Sequence, residues 1–137
     1  MKNHGYALLL TALLSLACAD DQLWEGETDD CTGNVQDFKV MLLLDSPMPP
    51  QPTGFVGKAD DSQDDTWSVT EISDGSSMGP TLIIEATFNN GLVTEKWKLE
   101  LSQSGPGTLE GELDADGNAG NVFNYDYKCD VKLERTH

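Results

Sequence analysis

The stretch that decides the fold is FNYDYKCDVKL, residues 123–133, near the end of the chain. Every odd-numbered position holds an aromatic, aliphatic or cysteine side chain, and every even-numbered position holds a polar or charged one. Side chains alternate between the two faces of a β-strand, whereas a helix repeats every three to four residues. The stretch therefore predicts a strand with one buried face and one face in water.

The same alternation recurs upstream, for example over residues 96–101 and 109–114. Turn residues separate such segments, and Asn90-Gly91 is typical of a tight hairpin because both positions tolerate a positive φ. No segment combines the apolar spacing and the end residues that a helix requires. We predict eight strands, over residues 22–28, 35–44, 53–59, 66–72, 81–89, 92–103, 108–114 and 122–134.

The short connections predict an all-β fold, a single antiparallel meander that closes as an up-and-down barrel and so hides its apolar face. Cys31 follows the first strand and Cys129 lies in the last, so a disulfide between them would bring these two strands together. A β-sandwich is the alternative, because some strands are apolar on both faces. In a barrel, Met41, Leu43 and Ile83 would point outward.

The N-terminal segment predicts export. Residues 1–18 read MKNHGYALLLTALLSLAC, with an apolar run from Ala7 to Leu14. This run is shorter than the roughly 20 residues that span a bilayer, and it is typical of a signal peptide. The chain has three cysteines, and an odd cysteine in an exported protein needs an explanation. A modified Cys18 provides one.

LLSLAC, residues 13–18, resembles the lipobox of bacterial lipoproteins, in which a small residue precedes a cysteine that is lipidated. The resemblance implies a lipid on Cys18 that holds the protein on a membrane, and Ala19 after it implies sorting to the outer membrane. Cleavage at the A-x-A pattern of residues 17–19, giving a soluble periplasmic or secreted protein, is the alternative. We divide the chain into a signal peptide, a lipidated tether and a β-barrel domain, at residues 1–17, 18–22 and 23–137.

The mature chain also resembles the small bacterial relatives of lipocalin and avidin-like barrels. The residues that carry the resemblance are Trp24-Glu25-Gly26 on the first strand, the placement of Trp67 and Trp97, and LEGEL at residues 109–113. The resemblance implies a barrel architecture and assigns no ligand.

Composition excludes several classes of function. The chain has 24 acidic and 8 basic residues, a net charge of −16, and such a surface repels nucleic-acid phosphates. Histidine occurs only at His4 and His137, which argues against Ser-His-Asp, Cys-His and His-based zinc catalysis. No pair of carboxylates stands out as a catalytic couple. We therefore predict no catalytic residues, no enzymatic activity and no nucleic-acid partner.

Two groups of residues are candidate binding sites. Aromatic side chains can line a pocket in an eight-stranded barrel or simply pack as its core. These candidates are Trp24, Trp67, Trp97, Phe123, Tyr125 and Tyr127. Asp114, Asp116 and Asn118 have the one-three-five spacing of a calcium loop and fall in a predicted turn over residues 114–121. We therefore consider weak calcium binding at this turn. The acidic run at residues 60–65 is a second candidate for weak calcium binding. No other cofactor is predicted.

These observations predict a lipid-anchored cell-envelope binding protein that holds a small apolar ligand inside a β-barrel. The alternative is a protein-interaction or inhibitor module that contacts another envelope protein. The two hypotheses differ in the barrel interior, because a ligand carrier needs a cavity with an open mouth, whereas the interaction module has a filled core.

Overall fold

The computed structural model describes residues 21–46, 51–60 and 66–137. The predicted signal peptide and the lipidation site Cys18 lie outside these residues, as does the acidic run at residues 61–65. Within the described part of the chain, no helix is long and apolar enough to cross a membrane.

The described residues form eight strands. Each strand pairs antiparallel with the next along the chain, and the last strand pairs with the first, which closes the sheet into a barrel. This confirms the predicted all-β meander and shows that the sandwich alternative is wrong. The strands are β1 (Gln22–Asp29), β2 (Phe38–Ser46), β3 (Thr53–Asp60), β4 (Trp67–Met78), β5 (Thr81–Asn89), β6 (Val93–Gly105), β7 (Thr108–Ala119) and β8 (Phe123–Arg135).

Two strands, β4 and β7, continue at least five residues beyond their predicted ends. β7 continues to Ala119 instead of ending at residue 114, because its inward positions there are filled by small residues, Ala115 and Gly117, that give a weak apolar signal. β4 continues to Met78 instead of residue 72, because an irregularity after Ile72 shifts the pairing and breaks the period of two. In both places, residues outside the predicted strands belong to a strand.

A disulfide joins Cys31 to Cys129, with an S–S distance of 2.06 Å, as predicted. Cys31 lies in the β1–β2 loop, and Cys129 points inward from β8. The backbone N–H of Thr32 also donates to the carbonyl of Lys128, and the Lys128 N–H donates to the Thr32 hydroxyl. The disulfide and these two hydrogen bonds hold the β1–β2 loop against β8.

The two ends of the barrel differ, and we call them the packed end and the open end. The packed end is where β2, β4 and β6 end, and Leu101 and Leu133 are fully buried near it. Pro52 is also fully buried, and its carbonyl oxygen lies 2.6 Å from the position that a Cβ on Gly75 would occupy. Gly75 thus leaves room for Pro52 to fill this end. The open end is where β1, β3, β5 and β7 end.

The outer face of β2, β3 and β4 carries several apolar side chains. The alternation of β2 places Met41 and Leu43 outward, as predicted for a barrel, yet they are only 1% and 2% exposed. The terminal methyl of Met41 and the ring of Trp67 both come close to Gly57, where the missing side chain leaves space. The double-sided apolar pattern of β2 therefore does not indicate a second sheet, because the eight strands close into one barrel.

Candidate ligand site at the open end of the barrel

A cavity of about 640 Å³ opens at the open end of the barrel. Its apolar walls include Phe38 and Val35, contributed by the start of β2 and the preceding loop, and the rings of Tyr125 and Tyr127 from β8. A second hollow of about 310 Å³ at the same end lies toward β4 and β5. Lys58, Ser68 and Glu95 line both spaces, so the two form neighbouring parts of one mouth.

Glu95 is the centre of this site. It occupies an inward position on β6, two residues before Trp97, and is buried. The Tyr125 hydroxyl donates to one carboxylate oxygen of Glu95 at 2.6 Å. The other carboxylate oxygen accepts from the Tyr127 hydroxyl at 2.6 Å, from the Trp97 indole N–H at 2.7 Å and from the Lys58 ammonium at 3.0 Å. Four donors from three strands therefore converge on one carboxylate.

These donors keep the carboxylate charged. Burial raises the pKa of Glu95, but the hydrogen bonds from Tyr125, Tyr127 and Trp97 and the charge of Lys58 outweigh it, so the pKa lies below its ordinary value. The effect on the donors is opposite. Burial and the bond to Glu95 raise the pKa of Tyr125 to about 12, and the same causes raise the pKa of Tyr127 further. At neutral pH, Glu95 is ionised and both tyrosines are protonated.

The Lys58 ammonium lies between this carboxylate and two aromatic rings. Lys58 occupies an inward position on β3, and 30% of its side chain is exposed. Its Nζ atom is 5.2 Å from the centroid of the Phe88 ring and 5.8 Å from that of Trp97. Both distances fall within the range at which a cation is attracted to the face of a ring. The ammonium is thus stabilised by the carboxylate and by both rings.

The rings around Glu95 pack against one another. Phe88 and Trp97 meet at a centroid distance of 4.8 Å with steeply inclined planes, and Phe38 contacts Trp97 at 5.6 Å. Phe38 also lies edge-on to Tyr127, at 6.2 Å. Such inclined contacts are favourable for aromatic pairs. They fix the walls of the mouth around the carboxylate.

A glycine on the neighbouring strand positions Tyr125. Gly117 on β7 pairs with Tyr125 on β8, and a Cβ atom at residue 117 would lie 2.0 to 2.4 Å from three atoms of the tyrosine ring. No side chain fits there unless the ring moves. Gly117 therefore lets the ring lie across β7, with its hydroxyl on Glu95.

The structure brings together three of the six aromatic residues considered from sequence. Tyr125 and Tyr127 line the cavity, and Trp97 lies one inward position deeper. The other three are elsewhere. Trp24 is buried in the half of the barrel toward the packed end, Trp67 is on the outer face, and Phe123 is 61% exposed at the rim.

Sequence reasoning missed the two charged members of the site. Glu95 stands two residues before Trp97, and Lys58 stands two residues after Val56, so each continues the inward positions of its strand. Charged side chains seldom occupy the interior of a barrel unless they are paired. A charged residue at an inward-facing position of a predicted strand was the signal that could have identified Glu95 and Lys58.

The predicted calcium ligands lie on a strand instead of in a loop. Asp114, Asp116 and Asn118 occupy alternate outward positions of β7, and such side chains stand about 6.5 to 7 Å apart and do not converge. Asn118 donates to Asn124 at 2.6 Å and accepts from the N–H of Asn121 at 2.9 Å. Among the residues that the structure describes, no group of three or more His, Cys, Asp and Glu side chains is arranged to hold a metal ion.

Comparison with known proteins found no match: no protein-family model, no curated protein and no solved structure matches the chain.

Proposed function

We propose that this protein is a binding protein that holds a small ligand in the open end of its barrel and is carried on the bacterial outer membrane by a lipid on Cys18. The observation that carries the binding function is the cavity of about 640 Å³ above the Glu95 network. Binding sites for small molecules are typically concave and mostly apolar, with a few fixed polar groups. The mouth of this barrel has that composition.

The arrangement of the polar groups supports binding over catalysis. A general acid needs a raised pKa, whereas the donors around Glu95 lower the pKa of its carboxyl group. The tyrosines are poor bases at neutral pH, because their pKa values are raised well above it. The site supplies a fixed charge and fixed hydrogen bonds, which orient a ligand without transferring a proton.

The cavity also bears on the alternative hypothesis of an interaction module. That hypothesis requires a barrel whose interior is filled from end to end. Here the side chains fill the interior near the packed end, while the mouth at the open end remains accessible. The shape of the interior thus favours the ligand-binding hypothesis.

The two indoles inside the barrel provide a direct test. In the ¹H–¹⁵N spectrum, the Trp97 indole N–H reports on the mouth because it donates to Glu95, and the Trp24 indole N–H reports on a distant region because it donates to Gln22. We expect neutral benzyl alcohol to shift the Trp97 signal in a saturable manner and to leave the Trp24 signal in place.

A pair of variants on β4 controls this experiment. Ser68 faces the mouth, and Ser68→Phe should fill part of it and weaken the binding of benzyl alcohol at least about fivefold. Glu71 points outward from the same strand, and Glu71→Phe should have no effect. If no small probe shifts the Trp97 signal, or if both variants bind equally well, the proposed function is wrong. Mass spectrometry of protein extracted from its own membranes tests the lipid on Cys18.

A further inference from the structure

The mouth of the barrel already holds an organic cation, which is the ammonium of Lys58. This group contacts the Glu95 carboxylate at 3.0 Å and lies within 6 Å of the centres of two aromatic rings. A buried carboxylate surrounded by aromatic faces is the arrangement by which proteins recognise ammonium groups. The chemistry around Lys58 is therefore that of a cation site.

The charge of Glu95 does not depend on Lys58 alone. Three neutral donors, the hydroxyls of Tyr125 and Tyr127 and the Trp97 indole, also bind the carboxylate. Hydrogen bonds of this kind stabilise an ionised carboxylate even where it is removed from water. The site would thus keep its negative charge if the lysine ammonium moved away, and it would then favour another cation.

Lys58 is the member of the site that can move away. Its side chain is 30% exposed, whereas that of Glu95 is 6% exposed. Lys58 also lines both parts of the mouth, so displacement of its flexible side chain would join the two spaces. An incoming group would meet Lys58 before it reached the carboxylate.

The surrounding charge favours a cationic ligand over an anionic one. The chain has a net charge of −16, and the cavity is also lined by Asp37. Such a potential attracts cations to the mouth and repels anions. The single lysine charge is already balanced by Glu95, so it offers little to an incoming acid.

We infer that the open end of the barrel is a site for organic cations, namely an ammonium group carried on an aromatic or short aliphatic body, and that the Lys58 side chain occupies the position of that ammonium. This inference rests on the proposed function, because it names the class of ligand that the cavity takes. The ligand ammonium would bind Glu95 and the rings of Phe88 and Trp97, with its body in the apolar space beside Phe38.

Three probes that share a benzyl group test the inference on the full chain: benzylammonium, benzyl alcohol and phenylacetate, followed through the Trp97 indole signal. We expect benzylammonium to bind about tenfold more tightly than either of the others. Lys58→Met removes the competing ammonium, so the affinity ratio of benzylammonium to benzyl alcohol should rise about tenfold further. Lys98→Met removes the same charge from the outer wall and should leave that ratio unchanged.

Glu95→Gln provides the opposite variant, because it keeps the shape of the side chain and removes its charge. It should reduce the affinity for benzylammonium to that for benzyl alcohol. The position of the Trp24 indole signal shows whether each variant remains folded, and Lys58→Gln replaces Lys58→Met if that variant does not.

The outcomes separate the inference from the proposed function. If phenylacetate binds most tightly and loses affinity in Lys58→Met, the mouth is an anion site, so the cation inference is wrong while the binding function stands. If benzyl alcohol binds as well as benzylammonium in every variant, the inference is also wrong. If none of the three probes shifts the Trp97 signal, the proposed function is wrong as well.

Discussion

The two ends of the barrel are built from the same eight strands and have opposite chemistry. The packed end is filled by side chains such as Leu101 and Leu133 and by Pro52, with few polar groups among them. The open end places a charged pair, Lys58 and Glu95, on inward positions that would otherwise hold apolar side chains. The comparison teaches that the packed end stabilises the fold. The open end has polar groups in its interior, which form a candidate binding site and do not favour stability in the same way.

The Cys31–Cys129 disulfide is the exception to this division, because it stabilises the fold from the open half. It links residues 98 positions apart, and the loop-entropy model gives a contribution of about 4 to 5 kcal/mol for such a separation. We expect the double variant Cys31→Ser/Cys129→Ser to lose about that much free energy of unfolding in urea denaturation. The β1–β2 loop that bears Val35 and Phe38 should also loosen, and benzyl alcohol should bind more weakly. An unchanged unfolding midpoint would contradict this account.

A substitution at the packed end should separate stability from binding. Leu101 is fully buried there, and Leu101→Ala should lower the free energy of unfolding by about 3 kcal/mol. At a temperature where the variant is folded, benzyl alcohol should shift the Trp97 indole signal as it does in the parent protein. Glu100→Gln, on the exposed face of the same strand, is the control and should change the stability by less than about 0.5 kcal/mol. A large loss of binding in Leu101→Ala would show that the two ends are coupled.

The smallest expected effect concerns one hydrogen bond at the open end, which the Tyr125 hydroxyl donates to Glu95. Gly117→Ala should push the Tyr125 ring off Glu95, because the added Cβ would overlap it. The pKa of Tyr125, about 12 in the parent, should then fall toward 10, and the free energy of unfolding should fall by at most about 1 kcal/mol. Because the folded state raises this pKa, the stability that the bond contributes is complete below pH 10 and disappears as the pH rises through about 12.

The ultraviolet absorbance of tyrosinate measures this change as the difference between variant and parent during an alkaline titration. Gly105→Ala is the matched control, since a Cβ at that residue would meet no atom within 4 Å. If the Gly117→Ala curve coincides with that of Gly105→Ala, the hydroxyl of Tyr125 does not depend on Gly117.

The fold could be predicted from the sequence because its signal is local. Alternation along residues 123–133 and turn residues such as Asn90-Gly91 specify strands and hairpins without reference to distant parts of the chain. The predicted ends of β4 and β7 were wrong because the alternation of apolar and polar residues is weak there. The small inward residues near the end of β7 and the irregular pairing in β4 both made strands look like turns.

The site was harder to predict because it depends on contacts across the barrel. Inward parity places Tyr125 and Tyr127 in the interior, and it also places Lys58 and Glu95 there. Lys58 and Glu95 stand on β3 and β6, three strands apart, and whether they lie at the same height depends on the tilt and stagger of the strands. The sequence pattern does not predict the stagger of the strands directly.

The position of the first described residues has a consequence for how the barrel would be oriented on a membrane. β1 begins at the packed end, where the Leu23 N–H donates to the carbonyl of His137 and the Leu23 carbonyl accepts from the Thr136 N–H, so the first described residues lie at this end of the barrel. A lipid attached at Cys18 would therefore hold that end toward the bilayer. The mouth would face the surrounding fluid, where solutes can reach it without first entering the lipid.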